Sequence, residues 1–221
     1  MSSPPLRNSN QSLLNSLGTM LWHADSSSFH DTTQVLANKI VLLYFSASWC
    51  APCQKFTPLL SQTYRTLKQQ NNNNNNKECL EFDIVFISMD RTEEQYATYC
   101  SKMPFFAMPF GKDYSALARQ CHAGSIPHLV VFDTDGTMIR QDGVGELTLD
   151  PSGTRFPWRP KPFSEILPSH CIYATEQEPK SMLDWKDKYL MLYFSVSHVL
   201  SHFVRLVPFR HVLSHFISLH P

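Results

Sequence analysis

Two cysteines separated by two residues, in Cys50-Ala51-Pro52-Cys53, are the side chains of this sequence best suited to chemistry. Thiols at this spacing can close a disulfide and exchange it, or supply half of a zinc site. Their surroundings favour exchange. An apolar run from Ile40 to Phe45 stops just before the pair. Behind it Phe56, Leu59, Leu60, Thr63 and Leu67 recur at three- and four-residue steps, the spacing of a helix face. A strand thus delivers the pair to the first turn of a helix. There unpaired amides and the helix dipole stabilise an anion, in this case a thiolate. A free thiol with pKa ~8.5 is only about 3% thiolate at pH 7, whereas a value near ~7 makes it about half. The stretch reads as the centre of a thiol–disulfide oxidoreductase. Cys50, at the helix start, is expected to attack a substrate disulfide, and Cys53, one turn further on, to resolve the mixed disulfide.

The elements that must position the pair follow from pattern. Residues 1–11 are polar and read as a disordered terminus, and Leu17 to Trp22 as a short edge strand. Ile40 to Phe45 is a strand covered on both faces. The next helix contains Pro58, expected to kink it, and ends at Gln69, before an asparagine-rich surface loop that includes Asn71 to Asn76. Phe82 to Ser88 is a second apolar strand. Thr92-Glu93-Glu94-Gln95 reads as a capping box, with Asp90 expected to help start that helix, which carries Tyr96, Tyr99 and Cys100 and stops before Pro104. Tyr114 to Cys121 is helical. Pro127 precedes an apolar strand, Asp133 to Gly136 is a turn, and Thr137 to Arg140 pairs back as a hairpin. Strand–helix–strand–helix and a hairpin predict an α/β fold with a mixed sheet.

Five prolines between Asp150 and Pro168 mark a domain exit, and a linker is read at 159–182. Beyond it Lys188-Tyr-Leu-Met-Leu-Tyr-Phe-Ser-Val-Ser197 echoes Lys39-Ile-Val-Leu-Leu-Tyr-Phe-Ser-Ala-Ser48, but His198, Val199 and His202 stand where Trp49, Cys50 and Cys53 stood. The organisation expected is one domain over 12–158 and a truncated, degenerate start of a second module over 183–221.

Composition narrows the function. Nineteen basic and nineteen acidic residues in 221 give zero formal charge, so no bulk electrostatic attraction to nucleic acid or acidic membranes is expected. Tyr189 to Val204 is shorter than the ~20 residues of a membrane span, and no membrane partner is expected. Six cysteines are too few for a secreted disulfide scaffold, and the polar start lacks a signal-peptide pattern. The expected compartment is the cytoplasm, with the nucleus as the alternative. Cys79, Cys100, Cys121 and Cys171 stand singly, and the carboxyl-terminal His198/His202 and His211/His215 pairs lack an evident third ligand, so no metal is expected.

Four separated motifs, Tyr44-Phe-Ser-Ala-Ser-Trp-Cys-Ala-Pro-Cys53, Lys102-Met-Pro-Phe-Phe-Ala-Met-Pro-Phe110, Ser125-Ile-Pro127 and Phe156-Pro-Trp158, together resemble the tryparedoxin/nucleoredoxin branch of the thioredoxin-like superfamily, over roughly Leu13 to Pro160. The resemblance implies a thioredoxin-like fold, a central mixed β-sheet flanked by helices. It also implies a cis peptide bond at Pro127 beside the dithiol. Trp49, Ala51, Pro52, Ile126 and Pro127 would form the substrate-binding surface, with Trp49 as an apolar wall and the Ile126 backbone pairing with an extended substrate segment. The sequence departs from the branch in Ala51-Pro52 where Pro-Pro is usual, in Met89-Asp90 where Trp-Asp is frequent, and in Tyr44 where ordinary thioredoxins carry a buried acid. No bound cofactor is expected. Reducing equivalents would come from an upstream flavoprotein reductase or a low-molecular-weight thiol, and the partners would be disulfide-containing proteins such as peroxidases. The alternatives are a nucleoredoxin-type binding module whose dithiol state controls a signalling partner, and a structural zinc-binding domain.

Overall fold

In the computed structural model, which describes residues 10–73, 80–161, 165, 190–194 and 204–208, the two most apolar runs lie side by side. β3 (Ile40–Ser46) and β4 (Phe82–Ser88) pair in parallel, from Ile40 opposite Phe82 to Ser46 opposite Ser88. β5 (Phe106–Ala107) continues the parallel run beyond β4, and β1 (Met20–His23) and β2 (Ser28–Asp31) extend that side antiparallel. On the other flank of β3 lie β6 (His128–Phe132) and β7 (Met138–Arg140), both antiparallel. The seven strands form one mixed sheet in the order β2-β1-β5-β4-β3-β6-β7.

Successive strand residues point to opposite faces, and every residue of β3 is buried, so this strand feeds two cores. Ile40, Leu42 and Tyr44 pack with Phe56, Leu60, Tyr64 and Leu67 of α3 (Ala51–Asn73) and with Tyr96 and Tyr99 of α4 (Glu93–Cys100). Val41, Leu43 and Phe45 pack with Leu13, Leu14 and Leu17 of α1 (Gln11–Leu17), Leu36 of α2 (Thr32–Leu36) and Leu117 of α5 (Ser115–Gln120). Each fully buried Leu or Phe contributes roughly 1.5–3 kcal/mol, which rewards an uninterrupted apolar run only when helices cover both faces. The one carboxylate buried in β4, Asp83, is met by Lys39 Nζ at 2.7 Å, Lys68 Nζ at 3.2 Å and the Tyr64 hydroxyl at 2.8 Å. α6 (Gly143–Leu149) follows β7 and packs on β6.

Three expectations need correction. Leu17 to Trp22 is not one edge strand. Leu13, Leu14 and Leu17 have helical spacing and form the buried side of α1. Gly18 then turns the chain at φ 75°, and β1 has partners on both sides, so the sheet edge is β2. Asn10 and Gln11 belong to this helix rather than to a disordered tail, since the buried Asn10 offers its carbonyl to Leu14 N at 3.0 Å. Finally, α3 runs through Pro58 and on to Asn73. The first three asparagines are therefore helical, because adding a residue to an established helix costs far less than starting one. The remaining asparagines of the run lie outside the described residues.

The chain divides into two compact units, Met1–Pro160 and Lys161–Pro221. In the second, β8 (Leu190–Phe194), which falls within the echo of β3, pairs antiparallel with β9 (Val204–Pro208). Most of the linker read at 159–182, the rest of the module read at 183–221, and both His-x-x-x-His pairs lie outside the described residues.

Candidate functional site

Cys50 and Cys53 are joined by a disulfide, with their Cα atoms 5.2 Å apart. The polypeptide brings them to the helix start as the spacing predicted. Cys50 N donates to Ala47 O at 3.2 Å, and Cys50 O accepts the first helical bond, from Gln54 N at 3.0 Å. Cys50 is thus the cap of α3, and its Sγ accepts the Cys53 amide at 3.2 Å. A side-chain acceptor on an otherwise unpaired amide of the first turn is what a helix cap supplies. A thiolate there would also meet the positive end of a 23-residue helix. Cys50 is 6% exposed and Cys53 fully buried, so of the two residues only Cys50 reaches solvent. Ala47, Cys50 and Cys53 form a small apolar cluster with Met89 and Ile126 against it.

Two loops frame the pair. On one side the Ile126–Pro127 peptide is cis, and Ile126 O lies 3.7 Å from Cys50 Sγ. Both residues are half-buried. On the other side Trp49 is 50% exposed, so it is a surface wall rather than a core residue. Its indole N–H donates to Met89 O at 3.2 Å, and the Arg91 guanidinium lies 5.5 Å from the ring centroid. Ala51 and Pro52 are exposed on the first turn of α3.

Asp90 has a different task from the expected one. Thr92, not Asp90, caps α4, accepting Gln95 N on its hydroxyl at 3.3 Å. The Gln95 side chain reaches back to Arg91 N rather than Thr92 N, so the capping box closes one residue early. Asp90 instead accepts Ser48 N at 2.7 Å on one oxygen and the Ser88 hydroxyl at 2.7 Å on the other. Together with the Trp49–Met89 bond this ties the end of β4 to the loop before the dithiol.

Beneath the pair runs a chain of buried hydroxyls. Thr57 Oγ1 donates to Cys53 O at 2.9 Å and meets the Tyr44 hydroxyl at 2.8 Å and the Tyr99 hydroxyl at 2.6 Å. Ser46 Oγ lies 3.1 Å from Tyr99. Burial pushes the Tyr44 phenol well above its ordinary range, so this side chain stays neutral. Tyr99 and Thr57 line the floor of a cleft of about 730 Å³ between α3 and α4, with Arg65, Glu94 and Lys102 on its walls. Thr57 and Tyr99 carried no signal in the sequence beyond helix spacing. Asp90 was visible as an acid just past a strand, but its reach to Ser48 was not.

The remaining motifs build the frame. In Lys102–Phe110, Met103, Phe105 and Met108 are buried, and Met108 bonds Phe86 O through its N–H and the Tyr96 hydroxyl through its carbonyl. Phe156-Pro-Trp158 closes a clasp. Asp150 accepts Arg155 N at 2.8 Å and Trp158 Nε1 at 3.1 Å on one oxygen, and Thr154 N and Oγ1 on the other. Trp158 is buried at φ 57° after a cis Phe156–Pro157 peptide. Free Cys100 and Cys121 are buried, and burial pushes each thiol up to about 11. His122 is exposed. Among the described residues no group of three or more His, Cys, Asp or Glu is placed to hold a metal, and no helix is long and apolar enough to cross a membrane.

Residues 38–138 match the family model described as Thioredoxin-like. Nucleoredoxin of Danio rerio is 37% identical over 143 residues, 64% of this chain and 32% of the relative, so the chain spans about a third of that protein. Tryparedoxin of Trypanosoma brucei brucei is 37% identical over 126 residues, 56% of this chain and 81% of the relative. The crystal structure of native tryparedoxin I from Crithidia fasciculata superposes with a TM-score of 0.58 at 32% identity, covering 67% of this chain and 99% of that one.

Proposed function

The chain belongs to the thioredoxin-like family, in the branch of the tryparedoxins and nucleoredoxins, and we propose that its Cys50–Cys53 pair reduces protein disulfides. The Cys50 thiolate attacks one sulfur of a substrate disulfide, forming a mixed disulfide and releasing the first substrate thiolate. Cys53 gives up its proton and attacks Cys50 Sγ, closing the Cys50–Cys53 disulfide and releasing the second thiolate. Two electrons leave the dithiol, and the two product thiolates take up protons from solvent. An upstream flavoprotein reductase or a low-molecular-weight thiol restores the pair, and disulfide-bearing proteins such as peroxidases are the substrates.

One observation carries this reading. The Cys50–Cys53 disulfide sits at a helix start with Cys50 slightly exposed and Cys53 fully buried, between an exposed tryptophan and the cis Pro127 loop. Trp49, Ala51, Pro52, Ile126 and Pro127 form the surface a substrate would meet. The test is reduction of insulin disulfides by dithiothreitol. The wild-type chain should accelerate it, and Cys50→Ser should abolish the acceleration. An inactive wild type would remove the reductase reading. A redox-dependent pull-down without turnover would favour the binding-module alternative, a role suited to the exposed Trp49 wall.

A further inference from the structure

We propose that Arg91 makes the dithiol site selective for disulfides that carry a carboxylate close to the scissile bond, as on an acidic protein segment. This rests on the reductase reading above and names its substrate class.

The inference starts from what holds Arg91. Its guanidinium lies over the indole of Trp49, 5.5 Å from the ring centroid, within the range of a cation–π contact. Trp49 immediately precedes Cys50 and is itself pinned by its bond to Met89 O. The Arg91 backbone is fixed as well, by the Gln95 side chain on its N–H at 3.2 Å. The cation therefore lies against the tryptophan that precedes Cys50.

Its charge is also available. Arg91 is exposed and makes no ion pair among the described residues. The adjacent carboxylate, Asp90, has both oxygens engaged, by Ser48 N and by the Ser88 hydroxyl. Glu94 lines the α3–α4 cleft instead. A guanidinium stacked on an aromatic ring keeps its planar N–H edge free for a carboxylate. A substrate laid against Trp49, with its disulfide at Cys50, would bring an acidic neighbour to that edge. Zero net charge of the whole chain means that this preference is local rather than a property of the molecule's field.

The test needs no physiological partner. The prereduced full-length chain is mixed with 5,5′-dithiobis(2-nitrobenzoate), which carries two carboxylates, or with neutral 4,4′-dithiodipyridine. The single-turnover rate is read for each, and Cys50–Cys53 oxidation is verified by peptide mass spectrometry. The readout is the ratio of the two rates, which cancels a general loss of reactivity. Arg91→Gln should lower the ratio about three- to tenfold at low salt, the size expected of one unscreened charge near the reacting sulfur. Arg91→Lys, which keeps the charge without the planar fork, should retain part of it, and added salt should shrink the wild-type ratio toward that of Arg91→Gln. A ratio unmoved by Arg91→Gln, or lowered equally by Arg91→Lys, would overturn the proposal while leaving the dithiol chemistry intact. Failure of both probes to oxidise the pair in wild type would sink the underlying reductase reading instead.

Discussion

Cys50 and Cys53 differ by a small margin of exposure, 6% against none, and that margin favours Cys50 as the residue a substrate would meet. The same comparison separates the pair from the other thiols among the described residues. Cys100 and Cys121 are buried and neither stands at a helix start, and burial pushes both up to about 11. At pH 7 a thiol of that pKa is thiolate in only about one molecule in ten thousand, and the thiolate is the reactive form. Iodoacetamide at pH 7 should therefore modify Cys50 of the reduced native chain within minutes and leave Cys100 and Cys121 unmodified until denaturant is added, as read by peptide mass spectrometry. Native-state labelling of either buried cysteine at the Cys50 rate would contradict this assignment. At this scale the sequence was informative about Cys50, Cys53, Trp49 and Pro127, because each belongs to a local motif. It was silent on Arg91 at the Trp49 face and on Asp90 at Ser48, contacts across about forty residues of chain that no local pattern encodes.

Among the elements, those with a strong local pattern were legible. β3, β4, α4 and the β6–β7 hairpin lie where apolar runs, capping and turn residues place them. β5 has two residues and owes its existence to β1 and β4 on either side. α6 carries two glycines and is fixed by packing, since a Cβ on Gly143 would come within 2.8 Å of Leu129 O. The Asp150 clasp was likewise invisible, although its Phe-Pro-Trp half was noted. Burial works against the charged Asp150, but hydrogen bonds from Arg155 N, Thr154 and Trp158 outweigh it and hold the carboxyl below its usual range. Asp150→Ala leaves those buried donors unmatched and should cost about 2–4 kcal/mol at pH 7, measured by urea unfolding. A carboxyl with a depressed folded pKa stabilises the fold above its unfolded value of about 3.9 and loses that contribution as pH falls through the folded value. The gap between wild type and Asp150→Ala should thus be full at pH 7 and narrow below about pH 4. A gap independent of pH would show that the carboxylate charge is not what closes the clasp.

For the whole molecule, the family match rests on the first unit, while the chain spans about a third of the Danio rerio nucleoredoxin. The catalytic elements, the two cores and the clasp all lie within Met1–Pro160. The sequence echo at 188–197 lacks cysteines at the corresponding positions, so the redox chemistry proposed for the chain passes through one pair. The most direct test is to trap it. Cys53→Ser keeps the nucleophile and removes the resolving thiol, so the mixed disulfide should accumulate. Mixed with an oxidised protein substrate, the prereduced variant is expected to form a dithiothreitol-sensitive covalent adduct whose only cross-linked residue in this chain is Cys50, absent in Cys50→Ser. No adduct, or an adduct through another cysteine, would contradict thiol–disulfide exchange at the Cys50–Cys53 centre.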